Sequence, residues 1–134
     1  MTLALDTSAL IGRYLSGPHR PVVLTAMADH SDWCASALAR AEALGMLERV
    51  ADLPSDGDRL RRALQDDWER IHVVPLDRRC LDRASELSRL HPLRTVDALH
   101  LAAADRLPRP VRFLTFDPRQ IPVALALGYD VIST

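Results

Sequence analysis

The sequence predicts an α/β fold in which a parallel sheet is covered by helices on both faces. Two observations carry this. Short apolar runs alternate with helical stretches along the whole chain. The runs are continuous rather than two-periodic, as in strands buried on both sides. The size is that of one domain, residues 1–134, and 48% hydrophobic with 26% charged residues is an ordinary globular mix.

Leu3-Ala4-Leu5 is the first apolar run and reads as a buried strand, stopped by Asp6-Thr7-Ser8. Ala9 to Leu15 reads as a short helix, Gly17-Pro18 breaks the chain, and Val22 to Asp29 reads as a second helix. Trp33-Cys34-Ala35 is a brief strand, and Ser36 is placed to cap a long helix reaching Val50. Pro54-Ser55-Asp56-Gly57 reads as a loop before an amphipathic helix from Arg59 to Arg70. Ile71 to Val74 is a strand stopped by Pro75; Asp77 to Leu90 is helical, and His91-Pro92 ends it. Thr95 to Arg106 is a further helix, and the stretch Ala98 to Ala104 is apolar nearly all round, so it belongs inside the protein. Pro108 and Pro110 bracket a turn before the strand Val111 to Thr115. Asp117-Pro118 opens a last helix ending near Gly128, a C-terminal capping glycine, and Val131-Ile132-Ser133 is the closing strand.

All 17 cationic residues are Arg; there is no Lys. That excludes Walker-type nucleotide hydrolases, protein kinases and Schiff-base enzymes, each of which needs a Lys. The net charge is -1, so any contact with nucleic acid must use a local patch rather than bulk charge. Cys34 and Cys80 have neither CxxC nor zinc spacing and read as buried free thiols in a reducing compartment. The start lacks a charged leader, and no window approaches ~18 uninterrupted apolar residues. The expectation is a cytoplasmic protein that does not span a membrane.

Four carboxylates stand out by position. Asp6 ends the first strand, and Asp117 follows the fourth. Ligands of open α/β sheets bind beyond the carboxyl ends of the strands, so Asp6 and Asp117 face each other if those strands are neighbours. Asp97 lies in the first turn of the apolar helix, and Glu42 sits among small apolar residues of the Ser36–Val50 helix. Each has a plainer reading. Asp6 and Asp117 suit helix caps, and Asp97 suits a helix N-terminus. Glu42 is harder to dismiss, because a buried unpaired carboxylate is expensive. Four clustered carboxylates repel one another unless a counter-charge joins them. A hard cation such as Mg²⁺ or Mn²⁺ supplies it, and can activate water against a phosphodiester. Thr7, Ser8 and Thr115 are placed to orient a carboxylate or a water on the ion.

The pattern resembles the PIN-domain ribonucleases of the VapC toxin type, over about residues 3–133. Leu5-Asp6-Thr7-Ser8-Ala9-Leu10 matches that family's first acidic motif, and Ser36 to Glu42 resembles its glutamate helix. Arg94-Thr95-Val96-Asp97-Ala98-Leu99-His100-Leu101-Ala102 is the most specific match. Leu114-Thr115-Phe116-Asp117, followed by Gly128-Tyr129-Asp130-Val131, resembles the family's ending. One departure is Phe116, where many relatives carry a polar or basic residue. The resemblance implies an α/β/α sandwich with strand order 3-2-1-4-5. It implies that Asp6, Glu42, Asp97 and Asp117 are the catalytic and metal-binding residues of an Mg²⁺- or Mn²⁺-dependent endoribonuclease. Such an enzyme cuts single-stranded RNA to leave a 3′-hydroxyl and a 5′-phosphate. It further implies a homodimer, and a small VapB-type antitoxin whose tail covers the site.

Arg13, Arg40 and Arg94 lie close in sequence to the acidic motifs and are the candidates for RNA phosphate contact. Arg59, Arg61, Arg62 and Arg70 read as a solvated helix face. Asp105 reads as a surface acid, and His100 as a packing histidine rather than a proton-transfer group. Trp33 and Trp68 read as core or interface aromatics. Two other functions fit parts of the sequence. One is a catalytically silent PIN-like protein-interaction module, against which the intact acidic quartet argues. The other is an aspartyl-phosphate phosphatase, which wants a second Asp where Ser8 stands.

Overall fold

The structure, a computed structural model, describes residues 1–134. Five strands form one sheet: β1 (Thr2–Leu5), β2 (Trp33–Ser36), β3 (Ile71–Val74), β4 (Val111–Leu114) and β5 (Asp130–Ile132). Every pairing is parallel, and the order is β3-β2-β1-β4-β5. The predicted fold class and the strand order implied by the resemblance are both present. Seven helices cover the sheet: α1 (Thr7–Gly12), α2 (His19–Asp29), α3 (Ala37–Val50), α4 (Pro54–Trp68), α5 (Arg78–Leu90), α6 (Thr95–Ala104) and α7 (Ile121–Ala126).

The strands alternate their side chains between two cores. Leu3 and Leu5 of β1, Trp33 and Ala35 of β2 and Leu114 of β4 pack against α1, α2, α3 and α4. Ala4, Val111 and Phe113 turn the other way, onto α5, α6 and α7. Both faces of the central strands are therefore dry, which is why the sequence shows continuous apolar runs there. Cys34 and Cys80 are buried and free, as expected. No helix is long and apolar enough to cross a membrane.

Several boundaries differ from the sequence expectation, for physical reasons. Asp6 accepts a hydrogen bond from the Ala9 N–H, so α1 starts at Thr7 rather than Ala9. The segment read as a loop, Pro54 to Gly57, is the first turn of α4, with Pro at a position where its missing N–H costs nothing. Helix α2 likewise starts at His19, and Pro21 falls in its first turn. Asp117-Pro118 does not open α7 directly. Asp117 accepts from the Arg119 N–H in a turn, and the helix begins at Ile121.

Gly128 does end α7 as expected, with φ +83°. Its N–H donates to Leu125 and that of Tyr129 to Ala124, the paired bonds of a Schellman stop.

The register decides where the chemistry falls. Leu5 lies between Ala35 and Leu114. One residue further on, Asp6, Ser36 and Thr115 therefore emerge abreast at the carboxyl edge of the sheet.

Candidate active site

Asp6, Thr7, Ser8, Glu42, Arg94, Asp97, His100 and Asp117 line a single cavity of about 250 Å³ beyond the ends of β1 and β4. The four acids come from four separate segments: the end of β1, the second turn of α3, the first turn of α6 and the loop after β4.

Asp6 is 3% exposed. Its carboxylate accepts from Ser8 Oγ at 2.7 Å, from the Ala9 N–H at 2.9 Å and from Thr115 Oγ1 at 2.7 Å. Burial pushes its carboxyl above the ordinary value, and these hydrogen bonds together with the nearby His100 only partly offset that. Counting hydrogens leads to the same conclusion. Thr115 Oγ1 accepts from the Asp117 N–H and lies 2.8 Å from Gln120 Oε1 as well as beside Asp6. Gln120 cannot supply the missing hydrogen, because its Nε2 faces the Asp97 carbonyl at 3.3 Å. One hydroxyl hydrogen cannot serve two acceptors. The shortage of a hydrogen beside Asp6 works in the same direction as its burial, toward a raised carboxyl.

Glu42 is held differently. Thr7 Oγ1 donates to its Oε1, and His100 Nε2 lies 2.8 Å from the same oxygen. Burial pushes the Glu42 carboxyl up, but the bonds from His100 and Thr7 outweigh it and the net shift is downward. An ionised Glu42 needs donors, so His100 carries its hydrogen on Nε2. Its Nδ1 lies 3.1 Å from Ser36 Oγ. Ser36 thus occupies the cap position of α3, as expected, but spends its hydroxyl on His100 and makes no cap bond.

Asp97 is 3% exposed, and both its oxygens are gripped by Arg94, through Nε at 2.9 Å and Nη2 at 3.2 Å. The same Nη2 lies 3.5 Å from Asp117 Oδ2.

The structure brings together Asp6, Glu42, Asp97 and Asp117, with Thr7, Ser8 and Thr115 as orienting hydroxyls. It does not bring all three candidate phosphate contacts there. Arg13 is committed to Asp67 at 2.8 Å and stacks toward Trp33, away from the cavity. Arg40 is exposed and is not part of the cavity lining. Only Arg94 lines the cavity, and it holds acids. His100, read as a packing residue, is buried but bonded to Glu42. Gln120 was not singled out at all; it is fully buried and ties Thr115 to the backbone of α6. No sequence signal marked it, because a lone Gln in a turn has no pattern. Asp105 joins Arg83 and Arg109 in ion pairs outside the cavity.

The donor set suits a hard divalent cation: carboxylates and hydroxyls, with no thiol. The buried Asp6, short of positive charge, suits one too. In this conformation no three acidic, imidazole or thiol groups are drawn into a ready cluster; Arg94 bridges two of the acids and His100 is bonded to a third.

Comparisons with known proteins bear on the family and the fold. The PIN domain family model matches residues 3–125. Ribonuclease VapC46 of Mycobacterium tuberculosis is 32% identical over 131 residues, covering 96% of this chain and 95% of that protein. A toxin–antitoxin complex from Klebsiella pneumoniae has a chain of similar fold, with TM-score 0.72 at 16% identity over 98% of this chain and 96% of that one. FitAcB from Neisseria gonorrhoeae gives TM-score 0.75 at 16% identity, again over 98% and 96%. By the matched family model and the VapC relative, the chain belongs to the PIN domain family.

Proposed function

We propose that this chain is a divalent-metal-dependent endoribonuclease, the toxin of a toxin–antitoxin pair, acting on single-stranded RNA. The observation that carries the reading is the meeting of four carboxylates from four segments in one cavity at the carboxyl edge of the sheet. The VapC relative is named a ribonuclease, and neighbours of the same fold were solved as toxin–antitoxin complexes.

In this reading Asp6, Glu42, Asp97 and Asp117 hold Mg²⁺ or Mn²⁺. When bound, the ion supplies an activated water and charge stabilisation for the leaving oxygen of the phosphodiester. Ser8, Thr115 and the Ala9 N–H fix the oxygens of Asp6. Thr7 and His100 fix Glu42. Gln120 sets the rotamer of Thr115. Arg94 stands at the mouth, where a phosphate would enter. The likeness to the family also supports a homodimer and a VapB-type antitoxin covering the same mouth.

The test is cleavage of single-stranded RNA by the wild type and by Asp97→Asn, in Mg²⁺ or Mn²⁺. Cleavage should fall below about one hundredth of wild type with the fold intact. Undiminished cleavage by the variant overturns the mechanism. Failure of the wild type to take up either ion or to cut RNA in excess metal favours the catalytically silent module.

A further inference from the structure

Arg94 is the only arginine lining the acidic cavity, and its position is odd. It sits at the N-cap of α6 and makes no side-chain cap bond. A cation at that end meets the positive pole of the helix, which disfavours it. The acids keep it there. Its guanidinium forks onto both oxygens of Asp97 and reaches Asp117.

The exposure of the partners is unequal. The Asp97 side chain is 5% exposed and that of Asp117 18%, while that of Arg94 is 63% exposed. The acids are fixed in the wall, and the cation reaches them from solvent. No hydrogen bond or ion pair holds the Arg94 side chain other than those to Asp97 and Asp117. For it to leave, only these bonds to the acids have to break.

Resting on the metal site proposed above, we infer that Arg94 is an internal counter-ion standing in the place of the divalent cation. Guanidinium and metal compete for the oxygens of Asp97 and Asp117, and metal uptake displaces Arg94 toward solvent. Displacement gives the released side chain a second task. Still tethered at the mouth, its planar fork is free to take two oxygens of a phosphate. Metal binding and phosphate binding then favour each other, through one residue that serves neither while it holds the acids.

The experiment is calorimetric titration of the metal-free protein with Mn²⁺ alone. It compares the wild type, Arg94→Gln, Arg94→Lys and a remote control, Arg112→Gln, whose residue pairs with Asp130 across the outer strands. Arg94→Gln should bind Mn²⁺ about three- to tenfold more tightly than wild type. Arg94→Lys should fall between them, since an ammonium cannot fork across both oxygens. Arg112→Gln should match the wild type. Equal or weaker binding by Arg94→Gln overturns the competition while leaving the metal site standing. No Mn²⁺ uptake by either protein overturns the site itself, and the competition with it.

Discussion

Replacing Asp6 by Asn should abolish ion uptake at the proposed site and yet stabilise the metal-free fold. With Asp6 ionised, Thr115 Oγ1 has one hydrogen for two buried acceptors, Asp6 Oδ2 and Gln120 Oε1. One of these two close oxygen–oxygen contacts is then left without a hydrogen, which costs about 1–3 kcal/mol. The Asn amide brings the missing hydrogen to Thr115, and its oxygen still accepts from Ala9 and Ser8. The gain depends on pH in a definite direction. The folded Asp6 carboxyl is raised above its ordinary value of 3.8, chiefly by burial. Its contribution to stability is therefore full below that value and is lost as the pH rises through the folded pKa. At pH ~3, where both states are protonated, wild type and Asp6→Asn should melt together. At pH ~8 the variant should be ahead by about 1–3 kcal/mol, a midpoint rise of about 4–12 °C at this chain length. The assay is thermal unfolding in EDTA at both pH values. A variant that melts below wild type at the higher pH, or a gap independent of pH, refutes the reasoning. Excess Mn²⁺ should close or reverse the gap, because only wild type gains binding energy, about 2.7 kcal/mol at a hundred times Kd.

Two further outcomes follow from other contacts. His100→Leu removes a donor from Glu42 and should weaken Mn²⁺ binding about 10- to 100-fold. His100→Gln, whose amide can still donate, should recover much of it, and equal losses in both would deny His100 its positioning role. Gly128→Ala places a Cβ at φ +83° and 3.4 Å from Arg109 Nη1. It should cost about 1–2 kcal/mol in thermal unfolding and leave RNA cleavage unchanged.

The strands and the four acids were legible because their signals are local. An apolar run ended by Asp, Ser or Thr marks a strand end, and the strand end is where the site lies. What the sequence hid depends on contacts between distant segments. Arg13 sits beside the first acidic motif in the chain, but Asp67, on α4, captures it. His100 looked like packing because its helix is apolar all round. Only the fold reveals that Glu42, 58 residues away, supplies its partner. Pro54 reads as a loop residue in sequence for a simpler reason. Proline breaks a helix interior but is welcome at its first turn, and the sequence does not say which turn it occupies.

The order of the strands also governs when this protein can become active during synthesis. β1 is made first and ends at the centre of the sheet, with residue 5 paired to residue 114. Until β4 has been made, β1 has only one neighbour, and Thr115 and Asp117 do not yet exist. Closing so long a loop is slow compared with forming the local helices. The cavity is thus among the last parts of the molecule to form. A chain still leaving the ribosome carries the first two acids but no place to hold an ion between them. The topology itself delays any nuclease activity until the chain is almost fully made.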